Sequence, residues 1–349
     1  MSTDKRVLSY VDAIREAQIL EMQQDPGVIV FGLDVDDPKA TFGTNRGLVE
    51  QFGSDRVFGT PLSEDAMTGA AVGMALAGLK PIHVHIRMDF MMLAVNQLVN
   101  VAAKMYAMTG GQQHVPLVVR TLIGKSWGQG AQHSQSLYSM FMNIPGLKIV
   151  APTTPYDAKA CLSYAIRDPN PVIFVEHRLL HFQQGHVPDT EILMPPGRAR
   201  IARSGDDVTI VGISYQQVES LRAQQYLQDI GISAEVIDPI WLNPLDLDTI
   251  EQSVRKTRRL LVVDNGWTQC GAGAEIVAAL TERLDIAWRA RRMGFAPTPC
   301  PTTPSLEQHF YPNGQTIAAA ALNLIRGQEQ HWLPEQRADL KDIEFKGPF

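Results

Sequence analysis

The sequence predicts an α/β protein of two domains, the first built on a parallel sheet. Short apolar runs such as Val28–Phe31, Val115–Leu122 and Val172–Glu176 alternate with stretches of helical spacing, as parallel strands joined by crossover helices do. A proline- and glycine-rich stretch, His181 to Ile201, has no sustained period, and a second α/β run follows it. The chain has 349 residues, 45% of them hydrophobic, enough for two cores. These observations divide it into a first domain (1–186), a linker (187–204), a second domain (205–327) and a tail (328–349).

In the first domain, Val7 to Gln23 has its apolar residues largely on one helical face, and Asp25-Pro26-Gly27 turns the chain into the strand Val28–Phe31. A polar loop and a short helix, Gly47–Phe52, lead to Val57-Phe58, which reads as a strand end. Thr60-Pro61 is a turn and Ser63 a helix N-cap. The helix after Ser63 is built almost wholly of small residues, among them Gly69, Gly73 and Gly78. Glycine in a helix interior costs about 1 kcal/mol relative to alanine, a cost that makes sense where another backbone comes close. Pro81–Ile86 is a strand and Met91–Tyr106 a long amphipathic helix. After the strand Val115–Leu122 comes a loop bearing Lys125, Trp127, Gln132 and His133, then a helix (Ser136–Phe141), a strand (Leu147–Ala151), a helix (Tyr156–Ile166) and a strand (Val172–Glu176). The second run reads as strands at Val208–Ile213, Ala234–Ile237, Leu260–Val263 and Trp288–Met293. Its helices are Gln216–Ile230, Leu247–Thr257, Gly271–Leu284 and Thr316–Arg326. The polar tail reads as a segment that wraps a partner or is partly mobile.

Net charge is −6, which points away from nucleic acid and anionic membranes. Three widely spaced cysteines read as reduced thiols and not as a disulfide frame. The start, MSTDKRVLSY, has no apolar signal core, and the small-apolar stretch Ala66–Leu79 is too short to span a bilayer, which takes about 20 residues. A cytoplasmic protein is expected.

An acid, Glu64, at one strand–helix junction and an aromatic, Phe90, after the next strand suggest a cofactor site at the carboxyl edge of a parallel sheet. A first-turn helix acid is also favoured simply by the helix dipole. The run TPLSEDAMTGAAVGMALAGLKP, with QHSQ at 132–135 and AIRDPNPVIFVE at 165–176, closely resembles the beta subunits of thiamine-diphosphate-dependent 2-oxoacid dehydrogenases of the pyruvate, acetoin and branched-chain types. The resemblance covers roughly residues 8 to 325. It implies a pyrimidine-binding thiamine-diphosphate fold followed by a transketolase C-terminal-like α/β domain, and oxidative decarboxylation of a 2-oxo acid such as pyruvate with acyl transfer to lipoamide.

By the same resemblance, Glu64 is the acid that polarises the cofactor's aminopyrimidine, and a half-buried carboxyl with a raised pKa suits that task. Leu62 and Phe90 would also contact the cofactor. His133 would serve proton or acyl transfer. Leu117, Ala165, Ile166, Asp168 and Asn170 match the positions around a structural potassium ion, whose hard-oxygen preference suits carbonyls and a carboxylate. There is no GDG sequence with downstream asparagines to hold a diphosphate and Mg2+. An alpha subunit is therefore expected to supply that end in a heterotetramer, with a lipoyl acyltransferase core as a further partner.

The sequence departs from its relatives in three places. Leu33-Asp34 stands where many carry a Glu-Glu pair. Val84 and Arg87 stand where they usually carry an acid and a neutral residue, and a cation there would favour an anionic substrate. Arg87 and Arg120 are the candidate substrate contacts, with Lys125 and Arg178 adding to the field. The tail is longer than usual. Rival readings are half of a split transketolase-like carboligase, a metal hydrolase built on His83-Val84-His85, and a non-catalytic scaffold subunit.

Overall fold

The computed structural model of the protein describes residues 6–37, 39–125 and 128–340. The chain forms two compact units. Of the described residues, the first takes those up to 125 and 140–196, and the second takes 128–139 and 197–340.

The first unit opens with strand β1 (Val7–Ser9) and helix α1 (Tyr10–Gln24), which the sequence merged into one helix. Ser9 divides them: its hydroxyl accepts the Asp12 amide, an N-cap that starts the helix at Tyr10. Val7–Ser9 is recruited instead by a distant antiparallel partner, Gln184–His186, which local spacing does not reveal. Next come β2 (Val28–Gly32), α2 (Leu48–Phe52), β3 (Val57–Gly59), α3 (Glu64–Leu76) and β4 (Lys80–His85). The expected helix from Met91 is a series: α4 (Met88–Met91), a 3-10 turn, a π-helical stretch (Asn96–Ala102) and α5 (Ala103–Met108). Then follow β5 (Val118–Ile123), α6 (Ser139–Met142), β6 (Lys148–Val150), α7 (Pro155–Arg167), β7 (Val172–His177) and β8 (Gln184–His186).

Strands of this unit lie in the order β6-β7-β5-β4-β2-β3, and every pair in that series is parallel. Residues of β2, β5 and β7 are buried throughout, as expected of strands covered on both faces. Because the strands are parallel, the segments after β2, β3 and β4 leave the same edge of the sheet, the carboxyl edge.

The second unit contains β9 (Arg200–Arg203), β10 (Val208–Gly212), α8 (Gln216–Gln228), β11 (Ala234–Asp238), β12 (Trp241–Asn243), α9 (Leu247–Thr257), β13 (Arg259–Trp267), α10 (Ala272–Arg283), β14 (Arg289–Phe295), α11 (Pro304–Glu307) and α12 (Gly314–Arg326). Its sheet runs β14-β13-β10-β11-β9, parallel except for β9. β9 lies in the stretch read as linker. Its alternating half-exposed pattern is that of an edge strand, too short and polar to signal itself. The core joins Val208, Ile210, Leu227, Leu261, Val263 and Ile317. Trp332 and Leu340 pack against it, and the Arg337 amide donates to the Tyr226 hydroxyl, so the tail as far as residue 340 lies on its own unit.

Candidate active site at the carboxyl edge of the first sheet

The α3 helix begins where β3 leaves the sheet edge, which puts Glu64 at its first position. Thr68, Ala71, Val72 and Ala75 face inward and are buried, while Ala66, Gly73 and Ala77 are exposed. Glu64 is half-buried and makes no hydrogen bond or ion pair among the described residues.

The strand that α3 covers ends in a polar ladder. Thr68 Oγ1 hydrogen-bonds His85 Nε2 at 3.2 Å. The His85 ring meets His83 edge-on at 4.5 Å between centroids, and His83 Nδ1 lies 3.3 Å from the Phe31 carbonyl oxygen. Phe31 stacks on both His83 and Phe58. Burial pushes the His83 imidazole down to about 4, partly opposed by the Phe31 carbonyl. Burial, with His83 beside it, holds His85 well below the ordinary histidine range. These are neutral packing histidines, which corrects the metal-hydrolase reading. Among the described residues there is no cluster of three or more His, Cys, Asp or Glu side chains that could hold a metal.

The Thr68–His85 bond also fixes the neighbourhood of Glu64. Glu64 is four residues back along α3, about 6 Å in an α-helix, and Arg87 is two residues on from His85, at most about 7 Å of extended chain. Both therefore sit at this edge. Arg87 is 8% exposed; its Nη1 donates to its neighbour's Ile86 carbonyl at 3.5 Å, and its Nε is buried without a partner. Burial lowers the Arg87 guanidinium to about 10, with the Asp89 charge pulling the other way. Phe90, on α4, is 37% exposed and Leu62 73% exposed, so both present apolar surface at this edge.

The other candidate cation has a different place. Arg120 is fully buried on β5. Its Nε donates to Glu176 Oε1 at 2.7 Å, Nη1 to Gln18 Oε1 and Asn45 Oδ1, and Nη2 to Thr44 Oγ1. A guanidinium committed to four acceptors ties β5 to β7, α1 and the loop after β2. This corrects the expectation that Arg120 meets substrate. Arg178 is likewise fully buried.

Asp168 ends α7, and its Oδ1 accepts both Lys148 Nζ and the Asn170 amide at 2.9 Å. The Leu117 carbonyl accepts the Val172 amide, and that of Ala165 accepts the Asp168 amide. Leu117, Ala165 and Ile166 are buried.

His133 belongs to the second unit. It is half-buried, in a loop whose two glycines have left-handed backbones: Gly128 at φ +70° and Gly130 at φ +69°. A Cβ at either would collide with Thr302. Further along, Asn265 Nδ2 donates to Ser136 Oγ at 3.1 Å, and the Tyr138 hydroxyl donates to Asp264. Burial raises both Tyr138 and Asp264 above their ordinary values. Sequence reading did not identify these anchors, which depend on β13 lying beside the loop. Trp127 lies outside the described residues.

A parallel-sheet edge with an acid at a helix mouth, followed by a second α/β unit, is the arrangement expected of a transketolase-type protein, and the family matches establish that class. The family described as "Transketolase, pyrimidine binding domain" matches residues 6–183, and "Transketolase, C-terminal domain" matches 197–317. The split-gene transketolase, solved as an inactive beta4 tetramer, shares the fold: TM-score 0.75 at 20% identity, covering 91% of this chain and 98% of that one. The chain is 41% identical over 334 residues to the acetoin:2,6-dichlorophenolindophenol oxidoreductase subunit beta of Cupriavidus necator, covering 92% of this chain and 98% of that protein. It is 40% identical over 318 residues to the mitochondrial pyruvate dehydrogenase E1 component subunit beta of Pisum sativum, covering 89% and 88%. The chain belongs to the beta-subunit family of the thiamine-diphosphate-dependent 2-oxoacid dehydrogenases. It is an oxidoreductase subunit, and family membership implies an alpha partner. No helix among the described residues is long and apolar enough to cross a membrane.

Proposed function

We propose that this chain supplies the pyrimidine end of a thiamine diphosphate site shared with an alpha subunit, and that the complete enzyme oxidatively decarboxylates a 2-oxo acid with acyl transfer to lipoamide. The observation that carries this reading is the half-buried, unpartnered Glu64 carboxylate at the sheet edge. When bound, thiamine diphosphate supplies an electron sink for the bond next to the 2-oxo carbon. Glu64 would pass its proton to the pyrimidine ring nitrogen and then, as a carboxylate, accept a hydrogen bond from that N–H, which favours the ring's reactive tautomer. Phe90 and Leu62 give the ring an apolar wall, and their exposure suits that task. By family resemblance, His133 would serve proton or acyl transfer. The exposed Ala66 and Gly73 of α3, with Ala77 at its C-cap, leave room for the approach of the alpha subunit, which would hold the diphosphate and Mg2+. A lipoyl acyltransferase core would take the acyl group.

Glu64→Gln, assayed in complex with the alpha subunit, is expected to lose about 100- to 10,000-fold in kcat, the usual worth of a positioned acid. Turnover within about twofold of the parent would sink the assignment. Potassium is the finer proposal. The oxygens of Leu117, Ala165, Ile166, Asp168 and Asn170 suit it chemically, although the ion would share Asp168 with Lys148. Replacing sodium by potassium at constant ionic strength should then raise the melting temperature, and equal melting in both salts counts against the site.

A further inference from the structure

The reaction of the Glu64 edge does not itself require Arg87. Its charge is taken out of water, yet among the described residues one long bond to the Ile86 carbonyl is all it makes, and its Nε meets no acceptor. Buried guanidinium groups are ordinarily paired, because five N–H donors and a fixed charge lose their hydration together. Asp89 offsets part of that charge through space, but no carboxylate hydrogen-bonds to Arg87 among the described residues. A ligand with two oxygens side by side matches the unfilled fork.

The position of the cation says which oxygens these are. Arg87 stands three residues before Phe90 and near Glu64, both held by the Thr68–His85 bond. Acetoin and pyruvate, for which the two relatives are named, carry no charge beyond the pyruvate carboxylate. A cation on the 2-oxo carboxylate would stabilise the ground state more than the transition state, in which that charge leaves with the carbon dioxide, so a guanidinium gains nothing by gripping it. The unfilled fork of Arg87 suits a second anion.

We infer that Arg87 binds an anionic group on the substrate side chain, which makes 2-oxo dicarboxylates the preferred substrate class of this enzyme. The inference rests on the reading of Glu64 above and narrows it. Arg87 acts on specificity, gripping the far end of the substrate while the 2-oxo carbon lies at the cofactor.

The test uses the complex of this chain with its alpha subunit, thiamine diphosphate and magnesium, with 2,6-dichlorophenolindophenol as electron acceptor. The value of kcat/KM is measured for oxaloacetate and 2-oxoglutarate against 2-oxobutyrate and 2-oxopentanoate, which match them in carbon count. At least one dicarboxylate should be preferred by about 10- to 100-fold, the worth of a hydrogen bond to a charged group. Arg87→Gln should erase most of that preference through KM, and Arg87→Lys should keep part of it. Calorimetric titration of the parent complex with glutarate or succinate should show binding that valerate or butyrate lacks.

Preference of the parent enzyme for neutral side chains overturns the inference. So does an equal loss on both substrate types in Arg87→Gln, or failure of that variant to co-purify with the alpha subunit, which would assign the guanidinium to a partner's carboxylate. If neutral 2-oxo acids are turned over in a Glu64-dependent way without any dicarboxylate preference, only the Arg87 assignment falls. If no 2-oxo acid is consumed and Glu64→Gln changes nothing, the underlying reading falls with it.

Discussion

Two neutral imidazoles inside the first unit make its stability depend on pH. The unfolded chain protonates His83 as pH falls through about 6.5, whereas the folded chain waits until about 4. Over that window the unfolded state binds more protons, so stability falls as pH falls. His83 alone accounts for roughly 3 kcal/mol by pH 4, and His85 adds to it in the same direction. Urea denaturation at pH 7 and pH 5 should show the lower midpoint at pH 5, and His83→Phe, which keeps the stack on Phe31, should narrow the gap. A midpoint independent of pH would mean that the folded imidazoles take up protons freely. At this scale the sequence is legible where chemistry and position coincide. Glu64 and Phe90 stand at strand–helix junctions that local punctuation marks. Arg120 was misread because its acceptors, Gln18, Thr44, Asn45 and Glu176, come from distant stretches that only the folded sheet assembles.

Among the elements, the loop of residues 128–139 depends on backbone conformations that few residues tolerate. Gly128 has φ +70° and a would-be Cβ only 2.6 Å from the Thr302 carbonyl oxygen, whereas Gly231 has φ +75° with nothing within 4 Å. The two positions separate conformational strain from collision. Gly231→Ala should cost about 1 kcal/mol, and Gly128→Ala clearly more, by chemical denaturation. Equal costs would show that the loop yields without loss of stability. Most helices and central strands were legible from apolar runs, because burial on both faces writes itself into composition. The elements that escaped are those fixed by tertiary partners: β1 by β8, β9 by β11, and the tail by the core of the second unit. The π-helical stretch at Asn96–Ala102 is another, since its helical spacing resembles that of an ordinary α-helix.

For the whole molecule, the surface carries a requirement that the chain does not meet alone. Leu62, Leu93 and Met108 are 73%, 62% and 73% exposed, large apolar side chains that a subunit interface would cover. Together with the missing diphosphate anchor, this predicts that calorimetry will detect thiamine diphosphate binding with the alpha subunit present and little or none without it. Tight binding by this chain alone would contradict the shared site.

The path of the backbone constrains how such a gene can be rearranged. Residues 128–139 are lent to the second unit before the chain returns to the first at residue 140. A recombination event at the later joint, between residues 196 and 197, would therefore not exchange whole modules. It would carry the histidine stretch away with the lobe it does not fold into, leaving the incoming lobe to accept a foreign insert. Chimaeras of this enzyme should survive best where residues 128–139 and the lobe from residue 197 onward come from the same parent.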